Sequence, residues 1–185
     1  MMGNIWCISD THFGHSNIIQ YTGRPFNSTE EMDETLIANW NAVVDKDDIV
    51  IHCGDFGFLP RGEIAKYIAR LNGNIILILG NHDTRFKPQK WEEWGIKKAF
   101  FRPQVWRGRA FSHEPNALYA QNDCFIHYYG HTHDKSVIDD ECCRCVCVEQ
   151  TNYEPILLCT TIGIDVEDVI AEMTPLEFYE KKGDF

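Results

Sequence analysis

Asp10-Thr11-His12, Gly54-Asp55, Gly80-Asn81-His82-Asp83, Ser112-His113-Glu114 and Gly130-His131-Thr132-His133 bring together the carboxylate, imidazole and amide groups that bind divalent cations. Each segment follows a stretch that reads as a β-strand, so the donors leave from strand ends, where ligands gather in open α/β sheets. One such segment alone is common; the ordered set within 185 residues is not. Imidazole suits zinc, iron, nickel or manganese, and the oxygen donors shift preference towards harder ions such as manganese. Asp55, alone in its loop, is the natural carboxylate to bridge two ions. A pair roughly 3.5–4 Å apart can hold a hydroxide between them and clamp a phosphoryl oxygen. Two divalent ions, less Asp10, Asp55 and the hydroxide, leave a surplus of about one positive charge. That suits an anionic phosphate ester.

Apolar runs must position these donors. Residues 4–9 and 48–53 and the fully apolar 74–79 read as strands leading into the first three segments. Between them, Ser28 or Thr29 can cap a helix with Met32, Leu36 and Trp40 on one face, and residues 61–71 repeat at helical period. The stretch holding Gly14, Gly23 and Pro25 reads as turns. Further on, residues 96–106, 107–111, 124–129, 142–148 and 156–159 read as strands, and Thr174-Pro175 as the start of a short helix. Strand–helix repeats followed by a strand-rich part predict two packed sheets flanked by helices, in one domain spanning 1–185.

The five segments resemble the calcineurin-like metallophosphoesterase family, whose pattern runs D-x-H, G-D, G-N-H-[DE], a lone His, then G-H-x-H. Every motif is complete between Asp10 and His133. The resemblance implies an α/β fold, a four-layer αββα sandwich of two mixed β-sheets flanked by helices. It implies one metal on Asp10, His12, Asp55 and His133, and a second on Asp55, Asn81, His113 and His131. His82 would then stabilise the transition state or protonate the leaving oxygen, with Asp83 orienting its ring; proton delivery of this kind is histidine chemistry near neutral pH. Phe13-Gly14-His15 extends the first motif to D-x-H-F-G-H, as in a small single-domain branch with phage and bacterial members. His15, Arg24 and Arg85 are candidate contacts to a substrate phosphate, the two arginines being otherwise surface charges.

The expected activity is a metal-dependent phosphoesterase, acting on a phosphodiester by attack of a metal-bridging hydroxide. The alternatives are a phosphomonoesterase or protein phosphatase, and a non-catalytic protein-binding scaffold of the same fold. A net charge of −11 disfavours stable duplex nucleic-acid or membrane-surface binding, which leaves a small or flexible phosphate ester as substrate. No basic leader or membrane-length apolar run is visible, so the cytoplasm is the expected compartment. Of the eight cysteines, Cys143, Cys145 and Cys147 alternate at strand spacing, which predicts buried, reduced, structural thiols rather than a zinc site. His52 and His127 lie within strand patterns and read as packed histidines outside the site. Trp91, Trp94, Phe100 and Phe101 read as core or a substrate rim, with core favoured. Asp45, Asp47 and Asp48 read as solvated turn charges.

Overall fold

β1 (Met2–Ile8), β2 (Ile49–His52) and β3 (Asn74–Ile78) are the three apolar runs, and they pair in parallel in that order. The computed structural model describes residues 2–115, 126–133 and 141–176. β4 (Lys98–Phe100) joins beyond β3 in parallel, and β9 (Ile156–Ile162) closes the other edge antiparallel to β1. A second five-stranded sheet has the order β10 (Thr174–Pro175), β5 (Gln104–Trp106), β6 (Arg109–Ser112), β7 (Ile126–Tyr129) and β8 (Cys143–Cys145). β6, β7 and β8 run parallel, while β5 and β10 pair antiparallel. Both sheets are thus mixed and flanked by helices, the α/β architecture expected.

The alternation of strand side chains builds two cores. Ile5, Ile51, Ile76 and Ile78 face the second sheet and meet Trp106, Phe111 and Tyr128 between the layers. Ile8, Val50, Ile75 and Leu77 face the other way, onto α1 (Ser16–Thr22), α2 (Thr29–Val43), α3 (Arg61–Ile68) and α4 (Pro88–Glu93). Met32, Leu36 and Trp40 form the buried stripe of α2, which Ser28 caps by accepting from the Glu31 N–H. Trp91 is fully buried and Trp94 packs against the same core.

Four expectations change. The turn-rich stretch contains α1, ended by Gly23 in the left-handed region. Residues 96–106 form two strands in different sheets, because Pro103 has no N–H to continue a ladder. Thr174-Pro175 does not open a helix but forms β10. The helix lies earlier, as α5 (Val166–Glu172), where Asp165 and Asp168 cap each other's backbone. Asp48 is buried rather than solvated, and accepts from Asn4 N, Asp45 N and the Trp6 indole.

The cysteine reading agrees with the packing: Cys143, Cys145, Cys147 and Tyr129 bury together, with Arg144 turned out between the first two. His52 and His127 are fully buried, and burial pushes them down to about 3 and about 4, so both are neutral. The Gly54 N–H donates to His52 Nδ1, and Thr11 Oγ1 donates to Phe56 O, so His52 Nε2–H donates to Thr11 Oγ1. This neutral tautomer ties the first two motif loops together.

Candidate metal centre

The parallel strands of both sheets end at one place. Asp10 and His12 follow β1, Asp55 follows β2, Asn81 follows β3, His113 follows β6, and His131 and His133 follow β7. The sheets join there, since Ser9 bridges in parallel to Cys147, with Ser9 N donating to Val146 O and Val148 N to Ser9 O. The first loop runs beside the second through Asp10 N to Gly54 O and His12 N to Asp55 O, 2.9 and 3.1 Å. Asp10, His12, Asp55, His131 and His133 all have φ between 51° and 71°. Each such residue costs on the order of 1–3 kcal/mol, a strain typical of functional sites.

Glycines let the loops close. A Cβ on Gly80 would lie 2.2 Å from Asp55 Oδ1, and one on Gly130 would lie 2.3 Å from Asp10 Oδ2 and 2.1 Å from Ser9 Oγ. Gly54 and Gly80 abut back to back, with a Gly54 Cβ only 2.6 Å from Gly80 N. These are the glycines of the G-D, G-N-H and G-H-x-H motifs.

Two groups of donor atoms result, sharing one carboxylate. His12 Nε2 lies 3.6 Å from Asp10 Oδ1 and 3.5 Å from Asp55 Oδ2, and His133 Nε2 lies 3.6 Å from Asp10 Oδ1. On the other side, His113 Nε2 lies 3.4 Å from Asp55 Oδ2, 2.9 Å from Asn81 Oδ1 and 3.1 Å from His131 Nδ1. Asp55 Oδ2 faces both groups. Asp10 Oδ1 and His12 Nε2 are buried with no hydrogen-bond partner. Buried polar atoms are rarely left so, and both point to where a cation would sit. The donor set fits divalent metal: Asp10, Asp55 and His113 form one group whose atoms lie close enough to hold an ion, and Asp10, His133 and Cys147 another.

A further layer holds the donors in place. Asp10 Oδ2 accepts from the His131 N–H (2.9 Å), the Cys147 thiol (3.3 Å) and Ser9 Oγ (2.5 Å). That leaves Oδ1 as the open atom. Cys147 therefore sits behind Asp10 as a neutral donor, its thiol pushed up by burial, so the cysteine cluster touches the site. His113 Nδ1 is fixed by Cys53 O at 3.0 Å, which presents Nε2 inward.

Asp83 does not orient His82. It is fully buried and accepts from Asp55 N (2.7 Å), Gly80 N (2.9 Å) and Phe56 N (3.1 Å), bracing the second loop against the third. Burial and the Asp55 carboxylate push it up to about 7, against the pull of those N–H groups. His82 is held instead by its own N–H on Asp55 Oδ1 (3.0 Å), and its side chain, 39% exposed, faces the opening.

Of the two arginines, Arg24 is corrected as well, while Arg85 is the surface charge it reads as. Arg24 is buried rather than on the surface, and neither its charge nor its donors face the opening. It donates to Asp10 O (2.7 Å), Thr11 O (3.0 Å) and Glu149 Oε1 (2.8 Å). Arg85 is exposed at the rim but donates to Gly57 O and lies against the Phe58 ring. His15 does line the opening, with its Nδ1 3.2 Å from His12 Nδ1 and its ring stacked on Phe58. Burial, then His12 and His82, push it down to about 4.

Glu149 escaped the sequence reading. Its Oε1 accepts from His133 Nδ1 at 2.9 Å and from Arg24, so one carboxylate orients the last imidazole and is stapled to the first loop. Burial opposes its charge, yet the His133 hydrogen bond and Arg24 hold it below the usual carboxylate value. Its only signal was its place just beyond a strand end. Loss of such an outer partner costs about 10–100-fold in metal affinity. Glu149→Gln should show that loss in a competitive chelator titration; wild-type affinity would deny Glu149 this role.

A family model described as calcineurin-like phosphoesterase matches residues 3–156. An uncharacterized protein of Methanocaldococcus jannaschii is 39% identical over 168 residues, covering 85% of this chain and 88% of that protein. The gene 66 protein of Mycobacterium phage L5 is 39% identical over 85 residues, covering 44% of this chain and 41% of that protein. Among solved structures, a protein of unknown function from Aquifex aeolicus aligns with a TM-score of 0.66 at 23% identity, over 84% of this chain and 95% of that one. At that identity the likeness concerns the fold alone.

Proposed function

The chain belongs to the calcineurin-like phosphoesterase family, and from that premise we propose that it is a binuclear phosphodiesterase. The observation that carries this reading is Asp55 Oδ2, 3.5 Å from His12 Nε2 on one side and 3.4 Å from His113 Nε2 on the other. Asp10, His12, Asp55 and His133 would hold one divalent ion, and Asp55, Asn81, His113 and His131 the other, with manganese the first choice. When bound, such a pair supplies a nucleophile at neutral pH and neutralises charge on the phosphoryl oxygens.

His82 has the reach for proton transfer. Its Nε2 lies 3.8 Å from Asp55 Oδ2 and its ring borders the opening. As the water oxygen bonds to phosphorus and the P–O ester bond breaks, His82 gives its proton to the departing oxygen. The proton released from water restores it. A positioned acid contributes about 10²–10⁴-fold. His82→Ala should keep its metal and lose turnover in that range on alkyl esters, with a smaller loss on p-nitrophenyl esters, whose leaving group needs little protonation. Loss of metal would make His82 a ligand instead.

The diester preference rests on charge. Arg24 is committed to backbone carbonyls and Glu149, and Arg85 donates from Nη2 to Gly57 O beside the Phe58 ring, so among the described residues no arginine lines the opening itself for the second charge of a monoester. With a net charge of −11, a small or flexible ester is favoured over duplex nucleic acid. No helix among the described residues is long and apolar enough to cross a membrane; the free thiols among the described cysteines favour a reducing compartment, and the cytoplasm is our proposed setting. Manganese-dependent hydrolysis of bis-p-nitrophenyl phosphate, abolished by chelation, tests the activity. Faster hydrolysis of p-nitrophenyl phosphate would favour the monoesterase alternative, and no hydrolysis of either the scaffold.

A further inference from the structure

Two clefts flank the candidate metal centre and meet at Asn81. The first, about 250 Å³, opens over His12 and His82 and is walled by Ile18, Tyr21 and Phe58. The second, about 380 Å³, lies beyond His113 and is walled by Leu79, Phe101 and Pro103. Tyr21, Phe58 and Phe101 are among the few large apolar side chains left exposed, at 64%, 46% and 54%. Exposed aromatic rings beside a polar centre are platforms for flat apolar groups, since every planar ring presents a π-face. Among the described residues no lysine or arginine lines either cleft, which favours an apolar arm over a second phosphate there.

Resting on the phosphodiesterase reading, we propose that the substrate is a short phosphodiester with a planar ring system on each ester arm, of the dinucleotide kind. Phosphorus sits between the clefts, one arm stacking on Tyr21, since His15 and Arg85 already lie on the Phe58 ring, and the other on Phe101. A monoester would fill one cleft only. A long polynucleotide would need a basic track for its further phosphates, and the described residues of the two clefts offer none.

The test uses manganese-loaded protein and three esters with the same leaving group: thymidine 5′-(p-nitrophenyl phosphate), methyl p-nitrophenyl phosphate and p-nitrophenyl phosphate. Stacking of one base is worth a factor of about 5 to 150. The thymidine ester should exceed the methyl ester by at least about fivefold in kcat/KM. Tyr21→Leu and Phe101→Leu, at exposed positions, separate the two clefts. At least one should collapse the thymidine-to-methyl ratio, and both should raise KM for a dinucleotide such as thymidylyl-thymidine. Equal rates on the thymidine and methyl esters, or a ratio untouched in both variants, would overturn the two-cleft assignment and leave the phosphodiesterase standing. Failure to hydrolyse either diester, or a preference for the monoester, would overturn both.

Discussion

Asp55→Ala should strip the protein of both metal ions at once. Asp55 Oδ2 is the one donor atom common to both groups, and Oδ1 holds the His82 N–H at 3.0 Å. Substitution therefore removes a ligand from each position and frees the third motif loop. The affinity loss at each position should exceed the about 10–100-fold that removal of an outer partner costs. Asp55→Asn, which keeps an oxygen for the His82 N–H, should retain more fold stability but lose the bridge. Metal analysis after gel filtration, with parallel hydrolysis assays, reads both effects. One ion retained in full by Asp55→Ala would mean the two groups do not share this carboxylate.

Gly130→Ala should be nearly as damaging, although it removes no ligand. The new Cβ would meet Ser9 Oγ and Asp10 Oδ2 at 2.1 and 2.3 Å, and neither can retreat. Ser9 is fixed between the two sheets, and Asp10 Oδ2 already takes the His131 N–H and the Cys147 thiol. Overpacking of this kind typically costs about 1–3 kcal/mol. Here it also pushes Asp10 Oδ1 out of line with His12 and His133. Gly62→Ala is the contrast. It lies in α3 with nothing within 4 Å of its Cβ, and should be stabilising by roughly 0.5–1 kcal/mol. Thermal melts and metal titrations should separate the two substitutions. A Gly130→Ala protein with wild-type melting and metal affinity would mean that the loops are not closed as tightly as described.

The donor residues were legible because each motif is local: an apolar run, then a short segment of metal-binding side chains. What reaches across the chain was not. Arg24 read as a surface or substrate-facing charge because its partner Glu149 lies 125 residues away. Asp83 read as the partner of adjacent His82, yet two of its three donors are Asp55 and Phe56, 28 and 27 residues earlier. Phe100 and Phe101 read alike, as core before substrate rim. β4 ends at Phe100, which packs between the sheets, while Phe101 falls beyond the strand and stays exposed by the second cleft. The left-handed φ of five donor residues was also invisible, since nothing in an Asp or His side chain announces it. The motif glycines were visible, but the close approaches that require them emerge only when the loops are assembled.

Electron paramagnetic resonance of the manganese-reconstituted protein bears most directly on a shared-carboxylate centre. With two ions bound per chain and Asp55 between them, the spectrum should be that of a magnetically coupled pair, persisting when metal is titrated to two equivalents. A single uncoupled six-line signal that saturates at one ion per chain would contradict the binuclear centre.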